Sequence, residues 1–317
     1  MKVIRPKKDI VELFGYAPND TTPECRTLWK LGACPFVNND CTKMNHTNGI
    51  VYGTCSVTSP YGDCIICPNR LYYDHFATLK YVAKDAFGNK PFYTKEEFIE
   101  RRNDHGNFIV ALGHNSGHEI QIPNRIVDKS ATGRTGSMSM DWILAEIDDL
   151  QLKSYTGIEV QSIDITGNYR DTWYAYKNLM NNGKADSVTI PESAHGLNWA
   201  NVHKRLIPQI IRKSIVYSNS KYVNSGLYFI VPEIVYKKFE EVIGDDIPLT
   251  DHKAPNVITV HTYELEDKVQ EGNMRSIRMV RNLRFTIENF SQRFIASPTL
   301  PLATSLDEAI KKSLGVS

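Results

Sequence analysis

The chain has 317 residues, with 37 Lys+Arg against 36 Asp+Glu and a formal net charge of +1 with histidines neutral. Hydrophobic residues at 41% and charged residues at 23% are globular proportions, which excludes fibrous and globally disordered classes. No apolar run approaches the roughly eighteen residues of a membrane span, and Met1-Lys-Val-Ile-Arg-Pro-Lys-Lys8 lacks the apolar core of a signal peptide. A soluble, cytoplasmic chain with no membrane partner is expected.

Length suggests two domains, or one large domain with an appendage. All six cysteines (Cys25, Cys34, Cys41, Cys55, Cys64, Cys67) lie in residues 1–75, a turn-rich stretch with little periodicity, and residues 68–317 contain none. Thiols in a reducing compartment stay reduced, so such clustering points to a metal rather than to disulfides. A four-thiolate site suits zinc or a mononuclear iron, in a region expected to fold only with its metal. Spacing alone nominates Cys64-x-x-Cys67 plus two of the others. Six buried, unligated thiols are the plainer alternative.

Residues 76–317 read as one α/β or α+β core. Thr94-Lys-Glu-Glu97 is a capping box opening a short helix through Arg102. Asn107–Leu112 reads as a strand, and Glu119–Ile122 as a helix end or strand. Asp141-Trp-Ile-Leu-Ala-Glu-Ile147, a polar turn, and alternation from Thr156 to Asp164 follow. Tyr169–Met180 is expected to be helical, with Trp173, Tyr174 and Tyr176 as core or dimer packing. A longer helix spans Asn198–Tyr217, bent at Pro208. Leu227–Val231, Val257–Leu265 and Ile277–Ile287 read as strands, the last two flanking a hairpin. Ser305-Leu-Asp-Glu308 is read as the cap of a C-terminal amphipathic helix.

The most informative pattern is acidic. Asp141 precedes Glu159 by eighteen residues, and Glu159 and Gln161 share one face of a strand, about 7 Å apart. An aspartate and a glutamate from neighbouring strands can share one hard cation, and oxygen ligands with open water positions suit Mg²⁺. Phosphodiester hydrolysis needs such a cation to polarise the phosphoryl group and activate water. Nucleases with this pattern usually carry a lysine two residues after the glutamate; here Gln161 stands there. On spacing alone, surface acids on a hairpin explain the pattern as well, and a glycosidase pair is conceivable.

No acidic residue occurs from Ser193 through Pro232, where Lys204, Arg205, Arg212, Lys213 and Lys221 lie. Lys204/Arg205 and Arg212/Lys213 are eight apart, near one helix face, and can follow phosphates. Asn198 and Asn201, with His195 and His203, add groups able to reach base edges. A merely solvated helix face is the alternative. Arg275, Arg278, Arg281 and Arg284 recur every third residue and are read as an exposed strand of no special role.

Together these motifs resemble the NotI-type restriction endonucleases, a branch of the PD-(D/E)XK nucleases. The likeness rests on Cys34-Pro-Phe, Cys41, Cys55 and Cys67-Pro-Asn-Arg70, then Glu119, then Asp141-Trp-x-Leu-Ala-Glu146. It continues through Gly157-x-Glu159-x-Gln161 with Asp164, Gly167 and Tyr169 to Asn198-x-x-Asn201-Val202-x-Lys204-Arg205, and spans about residues 30–220. The resemblance implies a PD-(D/E)XK mixed sheet flanked by helices, in a domain of residues 76–317. Residues 1–75 would hold iron, or zinc, on Cys34, Cys41, Cys55 and Cys67, leaving Cys64 out. It implies a homodimeric Type II enzyme that cuts both strands of palindromic double-stranded DNA with Mg²⁺ and leaves 5′-phosphates. A cognate DNA methyltransferase would accompany it in the cell. Glu119, Asp141, Glu159 and Gln161 would be catalytic, with Mg²⁺ on Asp141 and Glu159. Asn198, Asn201, Lys204, Arg205, Arg212 and Lys213 would meet DNA; strand alternation from Asp141 puts Glu146 on the opposite face, so it is read as structural or as a support behind the acids. The competing expectation is a non-catalytic metal-knuckle DNA-binding or regulatory protein whose acids are structural.

Overall fold

The computed structural model describes residues 2–45, 49–101, 106–113, 119–123, 137–182 and 187–315. Its centre is a seven-stranded mixed sheet. The strands are β1 (Phe92–Thr94), β2 (Asn107–Gly113), β3 (Trp142–Asp148), β4 (Gln151–Val160), β5 (Val223–Pro232), β6 (Val257–Leu265) and β7 (Ile277–Thr286). Their spatial order is β7-β6-β5-β4-β3-β2-β1. Pairing is parallel at β1/β2, β4/β5 and β5/β6, and antiparallel at the other three junctions. The fold is therefore of the mixed α+β kind.

Helices cover both faces, as neighbouring residues of β5 show. Tyr228 Oη donates to Asp85 on the helix Tyr73–Phe87 at 2.6 Å, while the next ring, Phe229, lies 5.3 Å from Phe239 on the helix Glu233–Ile243. Successive strand side chains point to opposite faces, so β5 carries a nearly continuous buried run instead of an alternating one. The second half of β4 is buried in the same way. Among the described residues, no helix is long and apolar enough to cross a membrane.

Residues 1–75 have more regular structure than their composition suggests. Ile10–Leu13, Thr54–Ser59 and Gly62–Ile65 form a three-stranded sheet, and Pro23–Leu31 is a helix entered through a proline in its first turn. Register shifts on both sides of Glu12 erase the alternation that would have revealed the first strand. The buried residues of this part, Ile10 to Tyr72, run without a break into those of the sheet. The boundary expected at residue 75 falls inside the helix Tyr73–Phe87. Arg70 anchors the junction: it is fully buried, pairs with Glu12, donates to the Arg275 carbonyl at 2.5 Å and stacks over Phe36 and Tyr73.

The capping box at Thr94 and Glu97 is present and opens the helix Lys95–Glu100; Arg102, its expected end, lies outside the described residues. Ile120–Pro123 is a strand, paired with Ser137–Met140. Trp173 and Tyr176, on the helix Arg170–Asn182, are core residues, and Tyr174 is exposed. The helix expected over Asn198–Tyr217 is present as one helical run, 200–218, in which Val202–Leu206 is π-helical and Ile207–Ser218 is α-helical. Pro208 sits in the first turn of that helix, where its missing N–H costs nothing, and Ile207 N–H reaches back to the Val202 carbonyl. The C-terminal helix runs Ala303–Leu314, so Ser305 lies inside it and does not cap it.

The four arginines read as bland are all engaged. Arg275 pairs with Asp63, Arg278 with Glu264, Arg281 with Glu233 and Glu240, and Arg284 with Asp85. Three-residue spacing puts Arg281 and Arg284 on opposite faces of β7, and each fastens a covering helix to the sheet.

Candidate active site and cysteine cluster

Trp142 on β3 pairs with Ile158 on β4, so the next rung sets Asp141 beside Glu159. Eighteen residues of separation thus become one juxtaposition at the end of two central strands. Asp141 Oδ2 accepts from the Val160 backbone N–H at 2.9 Å and from Gln161 Nε2 at 3.2 Å. Asp141 N–H in turn faces Glu159 Oε1 at 3.5 Å. The structure brings Asp141, Glu159 and Gln161 together as expected.

Glu159 is fully buried, and the side chain of Asp141 is 28% exposed. Burial, then the charge of Asp141, pushes the Glu159 carboxyl well above the usual range, against the opposing pull of Lys213.

Lys213 is the residue whose place differs most from its sequence reading. Its Nζ donates to Glu159 Oε2 and lies 3.9 Å from Asp141 Oδ1, and its side chain is only 4% exposed. It is a buried counter-charge to the acid pair, not a surface group able to reach DNA phosphate. Successive helical residues are about 100° apart, which turns Arg212 outward while Lys213 turns in. Gly157 lets the helix approach this closely. A Cβ there would stand 2.0 Å from the Tyr217 ring, and Tyr217 is one turn beyond Lys213 on the same helix face.

Glu119 is half-buried and accepts from Gln121 Nε2 at 3.3 Å. Pairing of Ile120 with Met140 carries the backbone at Glu119 alongside Asp141. Glu146 is held away from the acids by Lys90, by Asn107 Nδ2 at 2.9 Å and by Ser154 Oγ at 2.7 Å. Burial raises its pKa, but those three donors outweigh it and the net shift is downward.

Asp141 and Lys213 open on a cleft of ≈ 500 Å³ whose lining includes Lys204, Arg205, Arg212 and Ser139. Those three basic side chains are exposed. Arg205 keeps only a loose contact with Asp164, at 3.8 Å. Asn198 and Asn201 do not line this cleft: Asn201 Nδ2 donates to Asp164 at 2.8 Å, and the Asn198 N–H donates to the Asp164 carbonyl at 2.8 Å. His195 is buried between Ser193 and the Thr58 carbonyl, and His203 is exposed.

All six cysteines are reduced and buried. Among the described residues, no three His, Cys, Asp or Glu side chains are drawn together closely enough to hold a metal ion as they stand. Cys34, Cys41, Cys55 and Cys67 nonetheless form one electrostatic group, in which Cys67 acts on each of the other three. Burial raises all four thiol pKa values, Cys41 to about 11. Backbone N–H groups oppose that rise at three of them: Phe36 and Val37 at Cys34, Lys43 at Cys41, Asn69 and Arg70 at Cys67. Amides two and three residues ahead of a cysteine, aimed at its sulfur, favour the thiolate that a metal ligand must be.

The other two thiols stand apart. Cys25 packs with Tyr16 and Met180 in a separate cluster, and among the described residues Asp63 is the charged neighbour that acts on Cys64; both thiols are raised to about 12, chiefly by burial. The two sites are physically joined. The turn Pro68–Tyr72 follows Cys67 directly, and Trp142 Nε1, next to Asp141, donates to Tyr72 Oη at 2.9 Å. Comparison of the chain with protein-family models, and with curated proteins, finds no match.

Proposed function

We propose that the chain is a Mg²⁺-dependent, site-specific Type II restriction endonuclease of the NotI-like branch of PD-(D/E)XK nucleases. In this reading it acts in the cytoplasm as a homodimer on palindromic double-stranded DNA, beside a cognate methyltransferase. One observation carries the proposal: Asp141, Glu159, Gln161 and Lys213 meet at the end of two central strands, beside a cleft edged by Lys204, Arg205 and Arg212.

Mg²⁺ on Asp141 and Glu159 would polarise the scissile phosphoryl group and lower the pKa of the attacking water. Asp141 is the acid open to the cleft, and its Oδ2 is fixed by Val160 N–H and Gln161. The Gln161 amide, anchored there, orients water but cannot supply charge. Lys213 supplies that charge from a different element, opposing the rise that burial and Asp141 impose on the Glu159 carboxyl. Glu119, alongside Asp141, orients water on the same edge. Lys204, Arg205 and Arg212 grip flanking phosphates. In-line attack breaks the P–O3′ bond and leaves 5′-phosphate and 3′-hydroxyl ends.

Cys34, Cys41, Cys55 and Cys67 would hold a structural iron or zinc, a reading supported by the backbone N–H groups aimed at the sulfurs of Cys34, Cys41 and Cys67. Through Tyr72 and Trp142 this site would fix the position of Asp141. A second reading, a non-catalytic metal-knuckle DNA-binding protein, draws on the complete burial of Glu159 against Lys213, which also suits a purely structural ion pair. Plasmid digestion separates them: discrete bands with Mg²⁺ and none with chelator support the nuclease, and intact plasmid with bound DNA supports the alternative.

A further inference from the structure

Tyr217 is 2% exposed, and among the described residues its hydroxyl has no hydrogen-bond partner. An unpaired buried hydroxyl costs free energy and needs a physical reason. Its position supplies one. Gly157 and Glu159 stand on the same face of β4, about 7 Å apart, while Lys213 and Tyr217 are one turn apart on the helix Ile207–Ser218, a rise of about 6 Å. The two spacings nearly match. Lys213 reaches Glu159, and Tyr217 lies over Gly157, where a Cβ would stand 2.2 Å from its Oη. The hydroxyl therefore sits on the Glu159 face of the sheet, next along the strand from the acid pair. Burial, then the charge of Glu159, raises its pKa, so the group stays an O–H donor.

Glu159 can use that donor. Its Oε2 accepts from Lys213, and its Oε1 faces Asp141 N–H at the long distance of 3.5 Å. A carboxylate accepts about four hydrogen bonds, so capacity is left. We propose that Tyr217 is a positioning residue for Glu159: its O–H donates to the Glu159 carboxylate when that carboxylate turns from Lys213 to share a divalent cation with Asp141. The bond would aim the second acid as Val160 N–H and Gln161 already aim the first. The inference rests on the cation site of the proposed nuclease and adds to it a residue on the covering helix.

Calorimetric titration of Mn²⁺, which favours the same oxygen ligands as Mg²⁺, into the DNA-free full chain tests it, with the heat lost in Asp141→Ala identifying the site. Tyr217→Phe removes only the oxygen. Its Mn²⁺ affinity at that site should fall roughly tenfold, the worth of one hydrogen bond to a charged group. The Mg²⁺ concentration for half-maximal single-turnover cleavage should rise by a similar factor. Without added divalent cation, its unfolding midpoint in denaturant should equal or exceed that of wild type, because the hydroxyl then has no bond to lose. Tyr236, whose hydroxyl is also buried without a partner among the described residues, is the control, and Tyr236→Phe should leave Mn²⁺ affinity unchanged. Unchanged Mn²⁺ affinity in Tyr217→Phe, an equal loss in Tyr236→Phe, or a midpoint lowered by Tyr217→Phe without added cation would overturn the proposal. If wild type cuts plasmid while Tyr217→Phe binds Mn²⁺ as tightly, the positioning role fails and the nuclease reading stands. If wild type neither binds Mn²⁺ at this site nor cuts, both fail.

Discussion

Replacing Lys213 with methionine keeps most of the buried aliphatic stem and removes only the ammonium. Glu159 is fully buried, and Lys213 is the cation the structure gives it. Losing one partner of such a pair costs about 3 kcal/mol or more, a substantial part of a typical domain's stability. The Glu159 carboxyl, already raised by burial and by Asp141, would be pushed further up without the opposing ammonium. With Gln161 neutral, no charge at that position replaces the one lost. Cleavage should fall by roughly a hundredfold or more, the usual effect of deleting one preorganised charge at a reacting centre. DNA affinity and its salt dependence should not change, because a side chain 4% exposed does not reach a phosphate. Denaturant unfolding, single-turnover cleavage and binding at several salt concentrations read the three effects separately. Adding Glu159→Gln to Lys213→Met should return part of the lost stability and none of the activity. Undiminished cleavage by a folded Lys213→Met protein would refute the role assigned to Lys213. Retained cleavage with a flattened salt slope would restore it as a phosphate contact.

Three further outcomes follow from the same structure. With Lys204, Arg205 and Arg212 on phosphates in each of two subunits, log affinity should fall with log salt at a slope of about −5, and Arg212→Ala should flatten it by roughly 2 units. Cys34→Ser, Cys41→Ser, Cys55→Ser or Cys67→Ser should unfold the N-terminal part and abolish metal uptake, while Cys25→Ser and Cys64→Ser stay mild; pure protein with neither iron nor zinc by elemental analysis would refute the metal site. His261 is buried, neither ring nitrogen is hydrogen-bonded among the described residues, and burial lowers its pKa from 6.5 to about 4. The unfolded chain therefore binds the extra proton first, so this residue removes about 3 kcal/mol of stability as pH falls from about 6.5 to about 4. His261→Leu should flatten that limb of the stability–pH curve, and an unchanged curve would show that the imidazole is not the group responsible.

Much of the sheet was legible in the sequence, for reasons that can be named. Val257–Leu265 is rich in β-branched and aromatic residues, and its observed limits match those read from it. Asp141 and Glu159 could be linked because a short polar turn between two strands fixes their register. The inward turn of Lys213 could not be read, since residues 212 and 213 are adjacent on a helix and the sequence does not say which faces the sheet. Gly157 was the available signal: a glycine two residues before a buried acid marks where another element comes close. Cys64 stands on the strand Gly62–Ile65, paired with Val57, and its thiol is influenced by burial and by Asp63 rather than by another thiol. The helices Glu233–Ile243 and Ile287–Ile295 escaped notice because each begins directly at a strand end, with no turn residue between.

In the proposed reading, Asp141 and Glu159 form a cation-dependent phosphodiesterase site. Its most direct test is single-turnover cleavage of a supercoiled plasmid by wild type, Asp141→Ala and Glu159→Ala in Mg²⁺, with DNA binding measured on the same preparations. Wild type should give discrete fragments and both variants uncut plasmid, with sequence-specific binding retained. Cleavage by both folded variants in Mg²⁺, or none by wild type at any divalent cation concentration, would contradict it.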